Sequence, residues 1–478
     1  MGPDMIHLKL AIGLTAALAV AGCNMASKYV RPALPVPQDT PQGPSYIAAT
    51  SSPVVSADTA WADFFTDARL RMVIRTALDN NRDLRVAVAN VAQARSLYRA
   101  QRADLLPAVG VNGAATYQKS PLGAVGGTTG GATPSGRTDI YSANIGVSAW
   151  EIDLFGRLRN LTQAAQQDYF AAQENRNAAQ TALIAEVATA WLTMAADQER
   201  LRIARDTQIA FGKTLDLTRA RLSAGVSSEL DVRQARTTFD QARSDIADAT
   251  TRVAQDQNAL NLLAGTDLSP DLLPSELGVA KATIDALPAG LFSQVLLRRP
   301  DIAAAEHQLI GANANIGAAR AAFFPNISLT AAFGTLSLGL SNLFGSGSQS
   351  WSVAPTASLP IFDFGKNKGN LRYAQATREA MVAQYEKTVQ TAFREVADAL
   401  ARRGTIDTQL EAQTSLRDNA RGAFTLSDAR FQAGIDPFLT TLDSQRSLYT
   451  AEQSLVASRL ARESNAIELY RSLGGGLR

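Results

Sequence analysis

The side chains best suited to covalent or metal chemistry are scarce in this 478-residue chain: one cysteine, Cys23, and two histidines, His7 and His307. A lone thiol forms no internal disulfide, and two distant histidines without cysteine partners make no metal set. No nucleophile–base arrangement can be assembled around either histidine. The glycines of GGTTGG (126–131) precede no helix, so they do not cradle a phosphate. The sequence therefore calls for no catalytic residue, no metal and no cofactor, which argues against an enzyme. With 46 Lys+Arg against 44 Asp+Glu, it also lacks the basic excess that a nucleic-acid partner demands. What remains is electrostatic. Acidic and basic residues flank two glycine turns, RLSAGV (221–226) and SDARFQAGIDPFL (427–439).

Cys23 has a context of its own. Lys9 and the apolar run Leu10–Val20 read as a signal-peptide core. The run is too short to span a bilayer as a helix. Val20-Ala21-Gly22-Cys23 resembles a bacterial lipobox, in which the thiol takes a diacylglycerol. Residues 1–22 are thus expected to leave as a lipoprotein signal, taking His7 with them. Asn24 in place of Asp implies sorting to the outer membrane. Met5 is an alternative start. Residues 23–60, rich in proline, should form an extended lipidated segment lying on the surface.

These features need elements to position them, and the elements come twice. NRDLRVAVANVAQARSLYRAQRADLLP (81–107) aligns without a gap to RPDIAAAEHQLIGANANIGAARAAFFP (299–325) at an offset of 218. His307 falls where the first copy has Ala89, so it is read as structural or solvated. Further on the offset becomes 209: LFGR (154–157) pairs with DFGK (363–366), and RLSAGV with RFQAGI. The nine additional residues of the first copy belong to the loop Ser120–Gly136. Each copy runs through a helix ending at Pro107 or Pro325, two stretches of period-two alternation, and two long helices parted by a glycine turn. The first repeat is placed at 61–266, with strands at 107–118 and 139–152 and helices at 157–222 and 228–264. A linker, 267–300, leads to the second repeat at 301–478, with strands at 325–336 and 350–363 and helices at 366–432 and 437–472. Each strand has an apolar phase and a small polar one, the pattern of a membrane barrel. The helix seams, such as Ile184, Val187, Trp191 and Met194, follow coiled-coil spacing. The fold class is therefore a mixed α+β membrane protein. Four strands cannot close a barrel, so partner copies must complete it.

WADFF (61–65), WEIDLFGRLRN (150–160), RRPDI (298–302), ARFQAGIDPFLTTLDSQRSLY (429–449) and LYRSLGGG (469–476) occur in this order over nearly the whole mature chain. In this the sequence resembles the outer membrane factors of the TolC/OprM type, in particular the NodT-like lipoproteins of RND efflux systems. The resemblance implies a homotrimer, with a twelve-stranded barrel in the outer membrane and a long α-helical barrel in the periplasm. It implies a periplasmic membrane-fusion adaptor and an inner-membrane RND pump as partners, alongside outer membrane lipid. The function implied is passive conduction of drugs or other small molecules. By resemblance the glycine turns are the periplasmic tips, where the tube closes. Asp436 and Arg430 become gate candidates, with Asp428, Phe431 and Phe438 beside them. Adaptor docking falls to Arg221, Gly225, Ser228 and Leu230 at one tip, and to Gly434 and Leu439 at the other. Two alternatives stand beside the efflux channel: a channel for type I protein secretion, and a lipoprotein spacer that forms no pore.

Overall fold

The computed structural model describes residues 24–39, 41–46, 59–119, 137–277, 282–283 and 293–477. The signal segment, Cys23 and the loop Ser120–Gly136 lie outside these residues, as do parts of the 23–60 segment and of the 267–300 linker. The chain forms two compact units. One draws its described residues from Met1–Pro32, Ala92–Ala171 and Glu306–Gln384; the other draws them from Ala33–Val91, Ala172–Ala305 and Tyr385–Arg478.

The first unit holds the sheet. Strands β1 (Val109–Lys119), β2 (Arg137–Glu151), β3 (Asn326–Ser337) and β4 (Gln349–Ser358) pair antiparallel in sequence order. Their register aligns whole rows. Val111, Ile145, Phe333 and Trp351 stand opposite one another across all four strands, as do Val109, Val147, Ala331 and Val353. One residue along, on the opposite face, stand Asn112, Asn144, Gly334 and Ser350. One face of the sheet is apolar and the other is small and polar, because side chains alternate along a strand. At two positions of the polar face, Gly146 and Gly334, glycine is a packing requirement. A Cβ at Gly146 would run into the Ala331 carbonyl, and one at Gly334 into that of Ala143. Between Val147 and Trp150 the pairing slips through a bulge, with Ala149 at φ 49° and its N–H donating to Thr330 Oγ1 at 3.1 Å. The outer edges of β1 and β4 have no strand partner among the described residues.

Long helices account for most of the rest: α1 (Ala68–Asn80), α2 (Arg82–Ala103), α3 (Arg157–Ser223), α4 (Glu229–Ala264), α5 (Pro300–Ala321), α6 (Lys366–Gln432) and α7 (Phe438–Ser472). At 1.5 Å per residue, the 67 residues of α3 and of α6 each span about 100 Å. Neither contains proline. Both begin at an aspartate-capped glycine turn. Asp153 Oδ2 accepts from the Arg159 N–H, and Asp363 accepts from Gly365 and Asn367, with Gly156 at φ 79° and Gly365 at φ 87°.

The second unit has the main hydrophobic core. The α3 seam Ile184, Val187, Trp191 and Met194 is buried against Leu70, Val73, Ile74 and Ala77 of α1. Phe64 stacks on Tyr470 at 4.0 Å, and the Trp191 indole donates to the Leu272 carbonyl at 3.1 Å. Two helix ends are held in matching fashion by unlike residues. Asn81 Nδ2 donates to the Leu263 carbonyl at the end of α4, and Arg299 Nη1 donates to the Ser472 carbonyl at the end of α7. Asn81 and Arg299 are paired by the offset of 218, and Leu263 and Ser472 by the offset of 209. Arg299 is buried and needs charge compensation there, which Asp301 and Glu395 supply at 2.7 and 2.9 Å.

Candidate functional site

No described helix is long and apolar enough to cross a membrane, and no group of described His, Cys, Asp or Glu residues could hold a metal ion. Three features remain to carry function: the sheet, the segment that follows Cys23, and the helix tips.

The sheet is finished at both ends by aromatic pairs. Tyr117 and Tyr141 meet edge to face at 5.9 Å beside the β1–β2 loop, with Arg137 over the Tyr117 ring at 4.6 Å and paired to Asp139. At the other end Phe155 stacks on Phe324 at 4.7 Å, and Arg157 closes on Glu151 at 2.6 Å. Aromatic rings at two levels bracketing an apolar band match the two interfaces of a bilayer.

Residues 24–31 run in extended form along α5. Asn24 Oδ1 accepts from Asn160 Nδ2, the Met25 carbonyl from Arg320, the Ser27 carbonyl from Asn313, and Glu306 takes both Tyr29 and Arg31. The directions are opposed, and the lengths agree. Six extended residues cover about 20 Å, and the helix from Arg320 to Glu306 covers about 21 Å. The closest approach is at Gly317, where a Cβ would come within 2.6 Å of the Ala26 Cβ. Asn24, the residue after Cys23, thus sits beside the first turn of α3, just past the end of β2. His307, also on α5, places Nδ1 2.6 Å from Gln167 Oε1 and leans on Phe170, which is a structural setting.

In the second unit the two glycine turns have the same backbone. Gly225 and Gly434 both take φ 74°. The Gly225 and Val226 N–H groups donate to the Leu222 and Arg221 carbonyls, and those of Gly434 and Ile435 to the Phe431 and Arg430 carbonyls. This is the paired bonding of a Schellman turn, which places its glycine in the left-handed region. Nothing lies within 4 Å of a Cβ at either glycine, so conformation and not space selects the residue.

The side chains of the two turns differ. Ser228 caps α4 in a reciprocal box with Asp231. Burial pushes the Asp231 carboxyl up, but the Ser228 N–H and the Ser227 and Ser228 hydroxyls outweigh it and hold the group below its usual range. At the other turn Arg430 grips Asp436 through two bonds, at 2.7 and 2.8 Å. Those bonds hold the Asp436 carboxyl below its usual range. Asp428 accepts from Gln432 at 2.7 Å.

Phe431 and Phe438 are 3% and 4% exposed and form the tip core with Leu215, Ala235 and Leu442. Arg221, read from the sequence as a docking residue, turns onto this core. Its guanidinium lies 4.6 Å above the Phe431 ring, and Nη1 donates to the Phe431 carbonyl at 2.9 Å. It joins the end of α3 to the end of α6. Val226, Leu230, Ile435 and Leu439 are 64%, 64%, 63% and 51% exposed. The sequence reading singled out the two leucines and passed over Val226 and Ile435, although the 209 offset pairs Val226 with Ile435 as it pairs Leu230 with Leu439.

A sheet with one apolar face, bracketed by aromatic rings and followed by the two very long helices α3 and α6, defines a class of β-sheet membrane channel proteins. A family model described as outer membrane efflux protein matches residues 73–266 and 291–475, and the chain belongs to that family. It is 44% identical over 468 residues to the toluene efflux pump outer membrane protein TtgC of Pseudomonas putida, covering 98% of this chain and 95% of that protein. Among solved structures it is similar to a membrane protein from Pseudomonas aeruginosa, with a TM-score of 0.87 and 39% identity, covering 95% of this chain and 98% of that one. It is likewise similar to the open state of the MtrE outer membrane channel of Neisseria gonorrhoeae, with a TM-score of 0.84 and 38% identity, covering 95% and 99%. The protein is an outer membrane efflux component, and its family is one of transport, not catalysis.

Proposed function

We propose that three copies of this chain close a twelve-stranded barrel, and that the trimer is the passive exit duct of a tripartite pump. The observation that carries this reading is the sheet. An apolar row crosses all four strands, yet the edges of β1 and β4 are open. In hydrocarbon an unpaired strand edge costs several kcal/mol for each polar group, so only closure by further strands makes the face usable. Helices about 100 Å long exceed the bilayer threefold and extend into the periplasm. The matched bonding of Asn81 and Arg299 supports two repeats in each subunit, hence sixfold pseudosymmetry in the trimer.

Cys23 carries the lipid. Its neighbour Asn24 lies at the end of β2, the level at which an acyl chain enters the membrane. The tips gate and dock: Arg430, Asp436 and Arg221 hold the closed turns, and the apolar quartet Val226, Leu230, Ile435 and Leu439 receives the tips of a periplasmic adaptor. The cargo is small molecules handed over by an inner-membrane transporter. Purified protein should run as a trimer by mass photometry and open channels in planar bilayers. A monodisperse monomer with no conductance, in wild type and tip variants alike, would favour the non-pore spacer.

A further inference from the structure

Inside the first unit, the second half of repeat one is joined to the first half of repeat two. Past the bulge of β2, Trp150 stands opposite Leu329, and the Ile152 N–H donates to the Ile327 carbonyl at 2.8 Å. Phe155 then stacks on Phe324 at 4.7 Å. Trp150, Ile152, Phe155, Ile327 and Leu329 are all half-buried.

The same positions exist a second time, with the halves exchanged. The offset of 209 carries Trp150, Ile152 and Phe155 to Leu359, Ile361 and Phe364. The offset of 218 carries Leu329, Ile327 and Phe324 back to Val111, Val109 and Leu106. Every counterpart is apolar. Within one chain these two sets flank opposite edges of the sheet, because β1 and β4 are its outer strands. All six residues are exposed, from 51% at Leu359 to full exposure at Phe364. Phe364 also holds a φ of 52°, a conformation that a side chain with a Cβ adopts only at a cost.

Strand parity agrees with the correspondence. Val111 belongs to the apolar row, and Leu359 continues the phase of Trp351 and Val353. Setting Leu359 opposite Val111 therefore keeps the apolar face continuous, whereas a slip of one residue would set it against Asn112 and cross the faces.

We propose that Leu359, Ile361 and Phe364 of one copy seat on Val111, Val109 and Leu106 of a second copy, reproducing between chains the joint that the two repeats make within one. The joint rests on the trimeric barrel proposed above and adds its register. The Ile361 N–H donates to the Val109 carbonyl across the boundary, and the Phe364 ring covers Leu106. Protein rather than lipid covers that ring, as protein covers Phe155. Each copy offers one half of the joint to each neighbour, a head-to-tail contact that closes into a ring.

The test is disulfide trapping in outer membranes that hold the full-length protein. Directly opposed residues on antiparallel strands have Cα atoms ~4.5–5.5 Å apart, within reach of a disulfide. Leu359→Cys with Val111→Cys should give, on mild oxidation, a reducible ladder of covalent dimer and trimer on denaturing gels. Ile361→Cys with Val109→Cys asks the same question if the first pair does not insert. Leu359→Cys with Asn112→Cys sets the thiols on opposite faces and should give no ladder. Neither should any single variant, which controls for Cys23. Phe364→Ala should lower the temperature at which the trimer dissociates, at unchanged helical content, and Phe364→Leu should restore most of the loss. A trimer by mass photometry in which neither opposed pair cross-links, or in which the Asn112 pairing cross-links equally, overturns the joint and leaves the channel reading standing. An unchanged dissociation temperature in Phe364→Ala likewise overturns the seat of the ring. A protein that is monomeric in the membrane overturns the joint and the trimer together.

Discussion

Arg430 and Asp436 stand six residues apart across a left-handed glycine and meet through a two-bond fork. That geometry orients each group better than a single contact, although the pair is solvent-exposed and so sensitive to salt. Asp436 is held below its ordinary range, so the pair persists as pH falls to the normal carboxylate value and is lost only below it. Conductance should accordingly show no step from this pair between pH 7 and pH 5. Replacing both residues, Arg430→Ala with Asp436→Ala, should raise single-channel conductance in planar bilayers, and unchanged conductance would remove them from the gate. Arg221→Ala acts at the neighbouring contact. It deletes a ring contact and a bond to the Phe431 carbonyl, together about 1 kcal/mol, and leaves Asp231 and the Ser228 cap in place. It should open the tip without unfolding α4, read as higher conductance at unchanged helical content. Gly225→Ala and Gly434→Ala act on the backbone instead, because a φ of 74° strains any residue with a Cβ. Each should destabilise its turn by ~1–2 kcal/mol, measured by thermal denaturation.

At the scale of elements, what could be read from the sequence depended on locality. Alternation along one strand is a local signal, and it marked a four-stranded sheet with an apolar and a small polar face. The alignment of Val111, Ile145, Phe333 and Trp351 into one row is a matter of register between strands and was not legible. Glycine turns after long helices were legible, because the left-handed requirement belongs to one residue. The fork from Arg430 to Asp436 was not, since it exists only once the turn folds. The equivalence of Asn81 and Arg299 was hidden for another reason: two different side chains perform the same bond. The prolines from Pro32 onward suggest an extended segment over 23–60, but they say nothing of the seat of residues 24–31 on α5, because Gly317 reads as an ordinary helix glycine until Ala26 lies against it. That seat makes a prediction. Gly317→Val should lift residues 25–29 from α5, seen as faster hydrogen exchange and proteolysis in that segment, with the sheet's heat stability unchanged. Equal protection in variant and wild type would show that the segment tolerates a side chain there.

For the whole molecule, the proposed barrel sets the sheet's two faces against two different solvents, and one residue of displacement separates them. Ile145 stands in the row with Val111, Phe333 and Trp351; its neighbour Asn144 stands in the row with Asn112, Gly334 and Ser350. If the closed barrel turns the first row to lipid and the second to its lumen, one charge should have opposite consequences at the two positions. Lysine at Ile145 must desolvate in hydrocarbon, costing ~2–4 kcal/mol per subunit near the midplane. A trimer pays that three times, enough to block insertion. Ile145→Lys should therefore be lost from the outer membrane fraction or fail to form a heat-resistant trimer. Asn144→Lys should insert and assemble normally, because water reaches its ammonium. Three added positive charges around the lumen should then shift ion selectivity toward anions, read as a change in reversal potential under a salt gradient. Equal loss of both variants would mean that neither face is wet, and equal tolerance would mean that the sheet never enters a bilayer. Only the split outcome, with Ile145→Lys absent and Asn144→Lys present but altered in selectivity, is what a closed trimeric barrel requires.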